Sequence, residues 1–251
     1  MPPLLIDLHC HLLPGIDDGA KDLDMTMTML RKEKEDGVDA VVFTPHFYYE
    51  RMSLEEFSHH RAKAYRQTAG ACRKAGIHVA ARLGAEVFFT PALPSLDLSV
   101  LAFSGTHYLL MELPTTHCPA GVEDVLFALQ QQGYTPILAH VERYPYVTEN
   151  PLLLYNWVTS GAIAQINGSG LVRGGQTARL LHKYIRWNLV HLLCTDAHNM
   201  NTRQPNLRQA HESLPEACSR RFKENGEAVF WDRPLIPEEP VQPRYRFGRW
   251  I

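Results

Sequence analysis

Short apolar runs alternate along this chain with longer stretches of helical periodicity. The runs are Leu4–Leu8, Ala40–Thr44, His78–Ala85, His107–Leu113, Tyr134–Ala139, Ala162–Ile166 and Val190–Thr195. They are nearly continuous in Val, Ile, Leu and aromatic residues. Strands buried on both faces have this pattern, as in a parallel sheet covered by helices. Between them, Leu23, Met27 and Leu30 recur at helical spacing, with Gly37 placed to end that helix. Ser53-Leu54-Glu55-Glu56 reads as a capping box. Asn150-Pro151 predicts another helix start, with proline at the first helical position and Gly161 past the end. Val122–Gln132, Gln176–Trp187 and Asn206–Leu214 are further candidate helices. A βα order without Gly/Ser linkers predicts one α/β domain over residues 1–232, followed by a Pro/Arg-rich tail, 233–251. In the tail, prolines 234, 237, 240 and 243 recur with the polyproline II period of three. Arg244, Arg246 and Arg249 then interleave with Tyr245, Phe247 and Trp250, and a packed or frayed terminus is favoured over a docking motif.

Composition narrows the class. The 251 residues match the ~250 of one closed α/β barrel. A net charge of −2 argues against a module that binds nucleic acid by neutralising phosphates. No apolar run approaches the ~20 residues of a membrane span, and Met1–Asp7 lacks the basic flank of a signal peptide. Five cysteines without a CxxC pair fit a reducing cytoplasm better than a disulfide framework. Cys10 and Cys194 do not begin a Cys-x5-Arg phosphate loop, which disfavours a cysteine nucleophile. The unusual count is thirteen histidines.

Many of them follow the apolar runs. His9, His11, Asp17 and Asp18 come after the first, His46 after the second and Glu86 after the third. Glu112 ends the fourth, His140 follows the fifth, Asn167 the sixth, and Asp196 and His198 the seventh. Parallel strands open their C-terminal ends on one face, so these side chains are expected to converge. His78, His107 and His191 lie at strand beginnings, on the opposite rim, and are expected to bind no metal. In His9-Cys10-His11 and Asp196-Ala197-His198, the period of two sends both donors to one side. Imidazole and carboxylate without thiolate suit Mn, Fe or Zn in a multinuclear site, with a carboxylate such as Glu86 bridging ions.

Ile6-Asp7-Leu8-His9-Cys10-His11, running on to Asp17-Asp18-Gly19, resembles the opening of the polymerase and histidinol phosphatase (PHP) superfamily. More narrowly, the chain is similar to the bacterial metal-dependent protein tyrosine phosphatases encoded with capsule and exopolysaccharide genes. Thr44-Pro45-His46, Gly84-Ala85-Glu86, Met111-Glu112-Leu113, His140-Val141-Glu142-Arg143-Tyr144 and Thr195-Asp196-Ala197-His198-Asn199 carry the match, over roughly residues 4 to 230. The resemblance implies a distorted seven-stranded (β/α)7 barrel and three divalent ions, manganese foremost. It implies His9, His11, Glu86 and Asp196 on the first ion, Glu86, Glu112 and His140 on the second, and Asp18, His46 and His198 on the third. Arg143 and Arg203 would contact phosphate, and Asp18 joins them as a catalytic residue. The implied partner is a phosphotyrosine protein, a bacterial tyrosine kinase controlling exopolysaccharide or capsule synthesis; homo-oligomerisation stays open.

Metal-activated water would attack the phosphomonoester, since divalent ions lower the pKa of water from 15.7 to about 7. A tyrosine phenolate of pKa ~10 needs little protonation as it leaves; Asp17 or a water could supply that proton. Phe47, Tyr48, Phe88, Phe89 and Tyr144 are candidates for an aromatic slot. Asn167 and Ser169 are candidate substrate contacts beside a turn at Gly168–Gly175 that is expected to be flexible. Three alternatives stand beside phosphotyrosine hydrolysis. They are a histidinol-phosphate type of small-molecule phosphatase, an amidohydrolase, which the absence of a lysine near Glu112 weakens, and a non-catalytic metal-binding scaffold.

Overall fold

A computed structural model describes residues 2–251. The first half contains β1 (Ile6–Cys10), α1 (Leu23–Glu35), β2 (Ala40–Phe43), β3 (His46–Phe47), α2 (Leu54–Ala75), β4 (Ala80–Leu83), β5 (Glu86–Phe88), α3 (Leu98–Leu101) and β6 (Tyr108–Glu112). Next come α4 (Val122–Gln131), β7 (Thr135–Leu138), α5 (Pro145–Glu149), α6 (Leu152–Thr159), β8 (Ile163–Asn167) and α7 (Gly168–Val172). The chain ends with α8 (Gly175–Arg186), β9 (Leu192–Cys194), α9 (Leu207–Glu212), α10 (Glu216–Phe230), β10 (Tyr245–Arg246) and β11 (Arg249–Trp250).

The apolar runs form a curled parallel sheet in two segments, β1-β2-β4 and β3-β5-β6-β7-β8-β9. A parallel bridge between Cys10 and Ala197 joins the end of β1 to the segment after β9. The second and third runs are each followed, after a break, by a second short strand. Pro45 has no N–H for the ladder between β2 and β3. Gly84, between β4 and β5, sits where a Cβ would lie 2.6 Å from the Phe103 ring. His46 and Glu86 therefore open short strands of their own instead of following one, and the register pairs them directly. Phe88 is likewise paired with Glu112.

Side chains of the sheet divide between two apolar clusters. Ile6, Leu8, Val42, Leu110 and Ile137 gather around Phe103 and Phe230, whereas Val41, Leu109, Met111 and Leu138 pack beneath the helices. β1 carries one extra residue between Asp7 and Cys10 relative to β2. Such a bulge changes the phase of alternation. Beyond it, Cys10 joins the helix-side cluster, while His9 and His11 turn inward.

Local signals explain several boundaries. Ser53 and Glu56 make the reciprocal capping box that opens α2, and α1 ends at Glu35, with Asp36 as C-cap and Gly37 next, at φ 77°. Pro151 is the N-cap of α6 rather than its first helical residue, because the short α5 ends just before it. Gly168–Val172 is helical, correcting the expected flexible turn. Cβ atoms at Gly168 and Gly170 would lie 2.7 Å from Ala210 and 2.8 Å from Leu181, so these glycines allow close helix packing. Helix α10, left unassigned by periodicity, packs on β1 and β9. The tail ends in the β10–β11 hairpin. No described helix is long and apolar enough to cross a membrane.

Beneath the sheet, the buried His191 accepts a hydrogen bond from the Ala164 N–H through Nδ1, at 3.0 Å. Burial, reinforced by Arg221, pushes its pKa down to about 4. The native state thus prefers neutral imidazole, and this contribution is complete above pH ~6.5 and lost as pH falls from 6.5 toward 4. The loss is at most about 3 kcal/mol. His191→Gln, which keeps an acceptor for Ala164, is expected to flatten the fall in Tm between pH 7 and 5 relative to wild type; parallel profiles would refute this.

Candidate metal centre

Six segments meet at one cleft: the end of β1 with the loop to Asp18, and the stretches carrying His46, Glu86, Glu112, His140 and Asp196–His198. Gly19 approaches β1 so tightly that a Cβ would sit 2.1 Å from the His11 carbonyl oxygen. That approach is open only to glycine, and it folds Asp17 and Asp18 over the end of β1. Asp17 accepts the His11 Nδ1–H at 2.8 Å and the His46 N–H at 3.0 Å. Burial raises the Asp17 pKa, but His11 and the amide donors bring it below the usual carboxylate value. Asp17 thus serves as the acceptor that orients the His11 ring and holds the His46 backbone. His140 and Asp196 follow β7 and β9 with φ of 30° and 53°, left-handed conformations that non-glycine residues seldom adopt. Surrounding hydrogen bonds hold both. The His140 N–H donates to Gln165 Oε1 at 2.8 Å, and the Asp196 N–H to the His9 carbonyl at 2.8 Å.

The side chains meet in three overlapping groups: His9, His11, Glu86 and Asp196; His11, Asp18, His46 and His198; and His46, Glu86 and Glu112. Within each, the donor atoms lie within 4.8 Å of one another. Glu86 is the hub. Its Oε2 is 3.2 Å from His9 Nε2, 3.1 Å from His11 Nε2 and 3.1 Å from His46 Nδ1, while Oε1 is 2.8 Å from His140 Nε2. His140 is also 3.5 Å from Glu112. Asp18 lies 3.4 Å from both His46 and His198.

This donor set fits divalent cations. His9 Nδ1 faces Gln165 Oε1 at 3.1 Å, His11 Nδ1 faces Asp17, and His198 Nδ1 faces the Asp196 carbonyl at 2.9 Å. Each acceptor fixes a proton on Nδ1 and leaves the Nε2 lone pair facing the cleft, as metal-binding imidazoles require. Glu86 Oε2, Asp196 Oδ1 and His198 Nε2 are buried and have no hydrogen-bond partner among the described residues. Such orphaned atoms are costly unless something binds them.

The charges point the same way. Burial would raise the Glu86 pKa, yet His9, His11 and His140 bring it well below the usual range. Burial and the adjacent Glu86 charge push Glu112 up to about 8. Burial also takes His46 down to about 4.

Gln165, which carries no motif of its own, links the centre from behind. Besides His9 and the His140 amide, it donates to Asn167 Oδ1 at 2.8 Å, and Asn167 donates to Asp196 Oδ2 at 2.8 Å. Asn167 therefore braces Asp196 while also lining a cavity beside Arg143 and Arg203. The available signal was a polar residue inside the apolar run 162–166.

Arg143 and Arg203 converge on Asp196 Oδ2, at 3.0 and 2.6 Å. With Ser169 and Arg173 they line a cavity of about 340 Å³ on one side of the centre. A second, of about 410 Å³, is lined by Tyr48, Arg51 and Met52. Tyr48 lies against Phe88, with ring centroids 5.4 Å apart, and Arg51 stacks over Tyr48. Phe47, Phe89 and Tyr144 belong to the core instead, because Phe47 packs on Phe57 and the Tyr144 hydroxyl accepts the Leu113 N–H. His107 pairs with Asp232, and His78 lines a cavity between α2 and β4. Cys10 and Cys194 are buried, and burial pushes both thiols well up.

Fold and site together define an α/β protein with a buried cluster of histidines and carboxylates able to hold metal at the end of its parallel sheet. A family model described as "Capsular polysaccharide synthesis, CpsB/CapC" matches residues 5–233, and the chain belongs to that family. Among its relatives is tyrosine-protein phosphatase YwqE of Bacillus subtilis, 30% identical, with 97% of this chain and 99% of that protein aligned. Tyrosine-protein phosphatase CpsB of Streptococcus pneumoniae is 25% identical, over 92% and 96%. A solved structure from work on YwqE and CpsB, described as unique metal-dependent tyrosine phosphatases, superimposes with a TM-score of 0.89 at 30% identity. It covers 96% of this chain and 100% of its own. The phosphotriesterase homology protein of Escherichia coli shares the fold alone, with a TM-score of 0.53 at 14% identity, over 91% and 98%.

Proposed function

We propose that this protein is a metal-dependent phosphatase that hydrolyses phosphotyrosine in proteins, with a tyrosine kinase of capsule or exopolysaccharide synthesis as its cytoplasmic substrate. The observation that carries this reading is the set of three donor groups sharing His11, His46 and Glu86. The shared side chains favour three ions, manganese foremost, and the named activity of the relatives supports the substrate class. Counting β2 with β3 and β4 with β5, the parallel runs read as the seven strands of a distorted (β/α)7 barrel.

His9, His11, Glu86 and Asp196 would hold one ion, Glu86, Glu112 and His140 a second, and Asp18, His46 and His198 a third. When bound, divalent ions supply positive charge at phosphoryl oxygens and acidify water for attack. Arg143 and Arg203 orient the phosphate, their planar guanidiniums matching two of its oxygens. The half-buried Tyr48–Phe88 pair offers a wall for the tyrosyl ring, and the phenolate, of pKa ~10, leaves without a dedicated acid. Asp17 and Gln165 hold the imidazoles in the tautomer that faces the cleft.

The decisive measurement pairs elemental analysis with hydrolysis of a phosphotyrosine peptide and of histidinol phosphate, before and after chelation. Chelation is expected to remove activity and manganese to restore it, with the peptide preferred. Full activity in metal-free protein would end the metal-dependent reading; preference for histidinol phosphate would end the protein-substrate reading.

A further inference from the structure

The β10–β11 hairpin is anchored at its base and bare at its tip. Trp250 Nε1 donates to the Glu149 carbonyl at 2.8 Å, Lys183 reaches the Trp250 carbonyl at 3.2 Å, and the Val241 N–H bonds the Trp187 carbonyl at 2.8 Å. Arg244 and Ile251 close the open end with two backbone hydrogen bonds of 3.0 and 2.9 Å. The hairpin is thus held against α5 and α8 and presents its turn outward.

Three features of that turn are unfavourable for the isolated chain. Phe247 is 97% exposed, and Tyr245 beside it is 62% exposed. Phe247 has φ 51° and Gly248 φ 75°, the pattern of a type I′ turn, where asparagine or glycine is the residue of low cost and a bulky aromatic is not. Arg246 and Arg249 lie directly opposite each other in the ladder, a like-charge pairing that destabilises a hairpin. Among the described residues, no carboxylate lies within ion-pair distance of Arg244, Arg246 or Arg249. Residues 241–251 contain three arginines and no acid, in a chain of net charge −2. Departures from local rules that accumulate at one exposed point mark a surface built for something outside the chain.

We propose that this hairpin docks on an anionic lipid bilayer, with Phe247 entering the interfacial region and Arg244, Arg246 and Arg249 facing the headgroups. An aromatic ring favours the membrane–water interface. Arginines around it gain from the negative surface potential, which also relieves the repulsion between Arg246 and Arg249. The charge pattern complements a negatively charged surface, and the fully exposed ring at a hairpin tip suits a bilayer interface, which it can enter without a preformed pocket. The docking is peripheral and uses none of the residues around the metal centre.

The test is sedimentation of the full chain with phosphatidylcholine vesicles, with and without phosphatidylglycerol. Binding is expected only with the anionic lipid, weakening as salt rises. Phe247→Asn creates the Asn-Gly pair that favours this turn, so it removes the ring while strengthening the hairpin. It is expected to lower the bound-to-free ratio at least about tenfold, since burying a Phe contributes about 1.4 kcal/mol or more. Arg246→Glu with Arg249→Glu is expected to abolish binding. Hydrolysis of a small soluble phosphomonoester stays unchanged in each variant, which reports intact folding. Equal sedimentation with neutral and anionic vesicles, or none with either, would overturn the proposal. Binding that needs the arginines but survives Phe247→Asn would also overturn it, in favour of an acidic macromolecular partner.

Discussion

Glu86→Gln is expected to lower kcat/KM for a phosphotyrosine peptide by about 10³-fold or more, equivalent to about 4 kcal/mol of transition-state stabilisation. No other side chain combines so many roles. Glu86 is fully buried, contacts four imidazoles and belongs to two of the three donor groups. Glutamine keeps the shape, so the packing around β5 survives. It replaces one oxygen by an amide that donates and removes the negative charge that offsets neighbouring cations. Elemental analysis should therefore show depleted metal in a chain whose circular dichroism is that of the wild type. Wild-type ion content with wild-type activity would mean that Glu86 bridges nothing.

Arg143→Ala is expected to reduce turnover by about 10²-fold while the ions stay bound, the loss typical of one preorganised contact to developing charge. A guanidinium has no lone pair to give a cation, so its loss removes no ligand. Its side chain is 41% exposed and meets Asp196 at the rim of the cleft, which leaves it free to turn toward substrate. Because Arg203 meets the same Asp196 oxygen, the double substitution is expected to be non-additive. Depleted metal in Arg143→Ala would instead make Arg143 a positioning residue for Asp196.

Much of this centre was legible in the chain because parallel strands end on one face. His9, His11, Glu86, Glu112, His140, Asp196 and His198 lie at or beside the ends of apolar runs, and the structure brings them to one cleft. The aromatic slot was less legible. Phe47, Phe88 and Tyr144 look alike beside strand ends, and only packing decides that Phe47 and Tyr144 are core while Phe88 stays half-buried. The helix at Gly168–Val172 escaped for a related reason. Glycine reads locally as flexible, and its value there lies in the approach of Ala210 and Leu181.

By itself, the sequence determined the βα order, the helix punctuation at Ser53 and Gly37, and which residue types could bind metal. Those properties are local, set by side-chain period and by the chemistry of single residues. Only the tertiary structure decided where those donors point. The extra residue in β1 turns His9 and His11 inward, the breaks at Pro45 and Gly84 set His46 beside Glu86, and Gln165 joins His9, His140 and Asn167. These depend on contacts between residues tens to more than a hundred positions apart, whose partners become fixed only when the sheet curls and closes.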